Sequence, residues 1–163
     1  MRAAGHVFQI NTSPGGVPKR AVASAEVGPL GLEGDGVNHP KIHGGPERAV
    51  CLWSLEKILA LQTEGHPVFP GAVGENLTLA GLDWDTLSPG TVLACGEVVR
   101  LQIASYTTPC NTIAPYFAER RFKRISHERH PGWSRLYARV LTPGTIRPGD
   151  PVRVEATESK GVA

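Results

Sequence analysis

Nineteen glycines and fourteen prolines in 163 residues interrupt this chain too often for long helices. Glycine costs ordering entropy, and proline lacks the amide donor that a helix needs. Such a chain is suited to many short strands joined by turns. The runs between the breaks agree. His6–Asn11 and Ala21–Val27 read as strands, separated by the turn signals of "SPGGVP". Arg48–Trp53 is a compact apolar run, followed by strand-like Asn76–Leu79, Thr91–Cys95 and Glu97–Ala104. In the last of these, Val99, Leu101 and Ile103 alternate with Arg100 and Gln102, the period of a half-buried strand. Arg135–Leu141 and Pro151–Glu155 close the series, joined by the turn-rich "TPGTIRPGD".

The spacing predicts a helix from Ser54 to Glu64, capped by Ser54, with Ile58 and Leu59 inward and Gly65 and Pro67 as its stop. A second helix is expected over Ala114–Arg124, with Pro115 in its first turn. One mostly-β domain with a strongly bent sheet or barrel is the architecture these elements allow, over residues 1–156. Residues 157–163 are expected to form a flexible C-terminal tail.

Charge and cysteine content narrow the function. Seventeen Lys and Arg stand against 15 Asp and Glu, a net charge of +2, without the basic excess of a dedicated nucleic-acid binder. The basic run "ERRFKR" is short and lacks the interleaved aromatics that stack on bases. No nucleic-acid partner is therefore expected. The N-terminal "MRAAGHVFQINTSPGG" has no apolar run that exports or anchors a chain. No membrane association is expected either. Three cysteines cannot all pair within one chain, and a reducing cytoplasm is the expected location.

Cys51 in "AVCLW" has the apolar neighbours of a core cysteine, and Cys95 precedes a turn glycine. Cys110 differs. In "SYTTPCNTIAPYF" it follows Pro109 within a run of threonines and an asparagine, the surroundings of a thiol that must be reached. A second dense stretch, "GLEGDGVNHPKIHGGPERAV", carries Asp35, His39, His43 and Arg48 between glycines but lacks the GxGxxG dinucleotide spacing. His39 and His43 are separated by Pro40 and have no closing set of zinc ligands. Asp35 and His43, read on this stretch alone, hydrogen-bond the loop's own backbone. In the third stretch, "PGAVGENLTLAGLDWDTLSPG", Glu75 and Asn76 either cap a turn or line a pocket. His127 and His130 have charged neighbours and are expected at the surface.

Taken together and in order, "GDGVNHPKIHGGPERAV", "PGAVGENLTLAGLD" and "TTPCNTI" resemble the MOSC domain, the C-terminal domain of molybdenum-cofactor sulfurases and its stand-alone relatives. "INTSPGGVPK" and "GWSRLYARVLTPGTIRPGDPVRV" extend the resemblance to the stand-alone bacterial branch, from about Val7 to Val154. The resemblance implies a strongly bent, mostly antiparallel, pyruvate-kinase-barrel-like β-barrel with a few short helices. It implies that Cys110 is the family's signature cysteine, whose thiolate binds molybdenum or handles sulfur.

The implied activity is reduction of N-hydroxylated compounds such as hydroxylaminopurines, on a molybdenum cofactor (molybdopterin) and with an external electron-donor protein. The alternative it leaves open is a non-catalytic carrier of cofactor or persulfide sulfur to a partner enzyme. Pyridoxal phosphate, which full-length sulfurases bind on a separate domain, is not expected on this chain. By the same resemblance Lys19, Arg48 and the backbone of Gly44 and Gly45 are the candidates for holding the pterin phosphate. His43 is the candidate for orienting the ligand or moving a proton, with Asp35 holding His43 or the loop. Glu75 and Asn76 are the candidates for polar contacts to the pterin or a small-molecule substrate. A hydrolytic pair of Cys110 and His43 ranks below these readings, because nothing in the sequence shows that the two meet.

Overall fold

The structure, a computed structural model, describes residues 5–36 and 44–155. Strands β1 (Gly5–Thr12), β5 (Val50–Ser54), β6 (Leu77–Ala80), β7 (Val92–Cys95), β8 (Val99–Tyr106), β9 (Leu136–Thr142) and β11 (Pro151–Val154) form one sheet in the order β11-β7-β8-β9-β5-β6-β1. Gly5 and His6 of β1 pair with Val152 and Pro151 of β11, so the sheet closes into a barrel. A side chain on Gly5 would collide with the Ala80 carbonyl, so glycine permits β1 to pass from β6 to β11. β2 (Arg20–Val22) extends the far end of β1, and β3 (Ala25–Gly28), β4 (Gly31–Leu32) and β10 (Gly144–Ile146) make a separate three-stranded ribbon.

All the barrel pairings are antiparallel except β5 with β6, which run parallel. Helix α1 (Leu55–Thr63) lies on the crossover between them, the connection that a parallel pair demands. Ser54 Oγ accepts the Lys57 N–H at 3.1 Å, the expected N-cap. Ile58 and Leu61 are the buried pair, three residues apart on one face, whereas Leu59, expected inward, is 49% exposed.

β5 is buried along its whole length, as an apolar run covered on both faces must be. Leu52, Trp53, Leu77, Leu101, Ile103 and Leu136 are fully buried in the core, each burial stabilising the fold by roughly 1.5–3 kcal/mol.

The helix expected over Ala114–Arg124 is instead a chain of 3-10 turns, Asn111–Tyr116, Ala118–Arg120 and Phe122–Ile125. Pro115 withholds an amide, and Glu119 and Arg120 take positive φ of 53° and 57°, which breaks the helical path. Ile113, Phe117 and Ile125 anchor the turns in the core. No helix among the described residues is long and apolar enough to cross a membrane.

Candidate functional site

A cavity of about 180 Å³ opens between the β3–β4 turn, the start of β5, the loop before β6 and the segment after β8. Cys110 stands at its edge. Pro109 precedes it, its backbone is extended, and its thiol is exposed. The other thiols are buried. Burial pushes the Cys95 thiol up to about 12 and also raises that of Cys51. Since the thiolate is the nucleophile and the metal ligand, Cys110 is the cysteine placed to react.

Lys19, Asp35 and Asn76 make one linked wall of the cavity. Lys19 Nζ donates to Asp35 Oδ2 at 2.6 Å, and Asn76 Nδ2 donates to the same oxygen at 2.8 Å. Asp35 Oδ1 accepts the Ser13 N–H at 3.0 Å. Asp35 therefore ties the Lys19 ammonium and the β1–β2 turn together. Its expected partner His43, with His39, lies outside the described residues.

Arg48 and Gly44 also line the cavity. The Arg48 guanidinium is exposed and stands 5.4 Å from the centre of the Tyr137 ring. Gly45, with φ of 101°, precedes the 3-10 turn Pro46–Arg48 and does not contact the cavity. Glu75 does not line it either. Its side chain is fully buried, with Oε2 accepting the Gly71 N–H at 2.9 Å and the Thr78 hydroxyl at 3.0 Å. Glu75 Oε1 has no partner, and burial pushes the carboxyl up to about 7. Asn76 does face the cavity, but Oδ1 is occupied by the Cys51 N–H and Nδ2 by Asp35 and Asn11.

Cys51, Arg135 and Tyr137 are among the cavity residues that were not singled out as site residues from sequence. Cys51, expected in the core, is buried yet reaches the cavity wall. Arg135 and Tyr137 enter from β9 and the residue before it. Their signal was the period of two: Arg135 and Tyr137 share one face, while Ser134 and Leu136 face a second cavity of about 170 Å³. His127, expected at the surface, lines that second cavity with its ring stacked 3.5 Å from Tyr106. The indoles of Trp53 and Trp84 donate to the Trp133 and Ser134 carbonyls at 3.2 and 3.0 Å, which fixes the backbone that delivers Arg135.

The donor set bears on what this cavity holds. Among the described residues no group of three or more His, Cys, Asp or Glu side chains is placed to hold a metal ion. Among the described residues Cys110 is the exposed thiol that a metal could take, and Lys19, Arg48 and Arg135 on the cavity wall suit an anionic ligand.

The sequence profile of the MOSC domain matches residues 39–153. The chain belongs to the MOSC family. YflK of Bacillus subtilis is 31% identical over 133 residues, covering 81% of this chain and 59% of YflK. A protein of Gibberella moniliformis named as a reductase is 30% identical over 115 residues, 68% of this chain and 20% of that protein. The chain thus spans about three-fifths of one relative and one-fifth of the other. The crystal structure of YiiM from Geobacillus stearothermophilus superposes with a TM-score of 0.68 at 27% identity, covering 93% of this MOSC chain and 75% of YiiM. The bent, closed barrel expected from the resemblance is the fold that this MOSC chain has.

Proposed function

We propose that this MOSC protein binds a molybdenum-bearing pterin cofactor through Cys110 and reduces N-hydroxylated small molecules with electrons from a separate donor. One observation carries the reading: a single exposed thiol at the edge of a cavity walled by Lys19, Arg48 and Arg135, with no other metal-ligand cluster among the described residues. A soft thiolate suits molybdenum, and a cofactor supplying its own sulfur ligands asks only one sulfur of the protein. The relative named as a reductase supports the reaction class.

In this reading Cys110 Sγ holds the metal, and Lys19, Arg48 and the Gly44 backbone hold the anionic end of the pterin. The bound cofactor would supply two-electron redox chemistry. The net change is R–NHOH with two electrons and two protons giving R–NH2 and water. Leu30, Val73 and Ile113 supply apolar walls for the substrate's body. Tyr137 offers a phenol that burial keeps protonated, a donor for the departing oxygen.

The test is molybdenum content, by mass spectrometry, of protein from a host that makes the cofactor, beside Cys110→Ser. Near-stoichiometric metal that vanishes in the variant supports the reading. Reduction of a hydroxylaminopurine with a supplied donor then tests the activity. A folded protein without molybdenum from such a host would count against it.

A second reading, favoured by the exposure of Cys110, is a carrier that passes cofactor or persulfide sulfur to an acceptor enzyme. It predicts transfer to the acceptor without turnover of N-hydroxylated substrate.

A further inference from the structure

Arg135 is the least expected residue of the cavity. It is 7% exposed and yet reaches the cavity wall. Nη1 donates to the Val73 carbonyl at 2.8 Å, while Nε is buried with no partner. Among the described residues it makes no ion pair, and the acids around it do not supply one. Asp35 is taken up by Lys19 at 2.6 Å. Glu75, pushed up to about 7, carries only part of its charge at neutral pH. Burial holds Cys51 and Tyr137 toward their neutral forms. A buried cation without a counter-charge is strongly unfavourable, and so is a buried donor without an acceptor.

The position is also held in advance. Trp53 and Trp84 fix the backbone on one side, and the Arg135 carbonyl accepts the Thr107 N–H at 3.0 Å. Leu30, Val73 and Ile113 on the walls offer an incoming anion no competing charge. A guanidinium with an unused edge matches the paired oxygens of an oxyanion, which a point-charge ammonium does not.

We propose that the cavity contains an oxyanion subsite centred on Arg135, taking the phosphate monoester of a small-molecule ligand. It stands on the cavity and its unpaired cation, and it holds whether or not Cys110 binds molybdenum. It is separate from the assignment of a pterin phosphate to Lys19, Arg48 and Gly44.

The experiment is calorimetric titration of the metal-free protein with inorganic phosphate at fixed ionic strength, with chloride as control. In the Arg48→Gln protein, which removes a cation from the site assigned to the pterin phosphate, phosphate should still bind saturably, and adding Arg135→Gln should weaken that binding at least about tenfold. Arg135→Gln also loses the bond to Val73, so folding is checked by circular dichroism. If that variant does not fold, Arg135→Lys, which keeps the charge and loses the fork, must still weaken binding severalfold. No saturable binding by the Arg48→Gln protein, or binding undiminished when Arg135 is then replaced in a folded variant, would overturn the subsite.

Repeating the titration on molybdenum-loaded protein separates the sources. Retained binding assigns the subsite to a substrate phosphate, and binding abolished by the loaded cofactor would overturn a subsite separate from the pterin's own. Protein that never acquires molybdenum would sink the cofactor reading and leave the phosphate result standing.

Discussion

Asn76 grips Cys51 from both sides of the peptide. Its side-chain Oδ1 accepts the Cys51 N–H at 2.9 Å, and its own N–H donates to the Cys51 carbonyl at 2.7 Å. The ladder between β5 and β6 begins one residue later, at Leu52 and Leu77, so the amide side chain extends the parallel pairing by one step. Through Nδ2 the same residue reaches Asp35 and the Asn11 carbonyl. One buried amide thus joins β5, β6, β1 and the cavity wall.

Asn76→Ala should therefore destabilise the protein by about 3 kcal/mol, because it strips several buried bonds and leaves the Cys51 N–H without an acceptor. Asn76→Asp keeps the acceptor but sets a carboxylate against Asp35, so its loss should be at least as large at neutral pH. Urea unfolding measures both. A loss under about 1 kcal/mol for the alanine variant would mean that water replaces the network.

Thiol reactivity should follow exposure. With iodoacetamide at mildly alkaline pH, Cys110 should alkylate at least about tenfold faster than Cys51 or Cys95 in the native protein. Peptide mass spectrometry over time reads the three sites separately. Comparable labelling of Cys51 would show that the cavity wall opens enough to ionise a thiol whose proton is now held by burial.

Much of this architecture was legible in the sequence. The strands follow the apolar runs, and Ser54 announced the one α-helix among the described residues through its cap. β4 and β10 went unseen because two- and three-residue strands carry no period. The 3-10 turns after Cys110 were read as a helix because apolar spacing does not show the left-handed backbone of Glu119 and Arg120. At the site, Cys110 was legible from its polar neighbours. Arg135 was not, since its neighbours are those of any strand entry and only the fold shows that its charge is buried without an ion pair among the described residues. Cys51 looked like core because it is core on every side but one.

Gly71 should tolerate no side chain. Its φ is +89°, and a Cβ there would run into the Lys19 carbonyl. Its carbonyl accepts the Lys19 N–H at 2.8 Å and its own N–H binds Glu75. Gly71→Ala should cost about 3 kcal/mol, combining the left-handed backbone with the collision. A melting temperature within a degree or two of wild type would show that the loop before β6 relaxes freely.

Glu75 gives the fold a pH dependence with a definite sign. Its carboxyl is raised from the usual 4.5 to about 7, because burial penalises the charged form by more than Gly71, Thr78 and Arg135 relieve it. In the unfolded chain it ionises near 4.5, so between that pH and about 7 the folded state holds the extra proton. Stability from this group is complete below the lower value and falls as pH rises through the upper one, by about 3 kcal/mol in all. Glu75→Gln keeps an acceptor for the Gly71 N–H and the Thr78 hydroxyl without the charge. It should flatten the slope and be more stable than wild type at pH 8. Urea unfolding of both proteins at pH 5, 6, 7 and 8 measures this, with the difference between them growing as pH rises. Parallel curves would show that Glu75 is ionised throughout, and that the Arg135 guanidinium already has its counter-charge in this buried carboxylate.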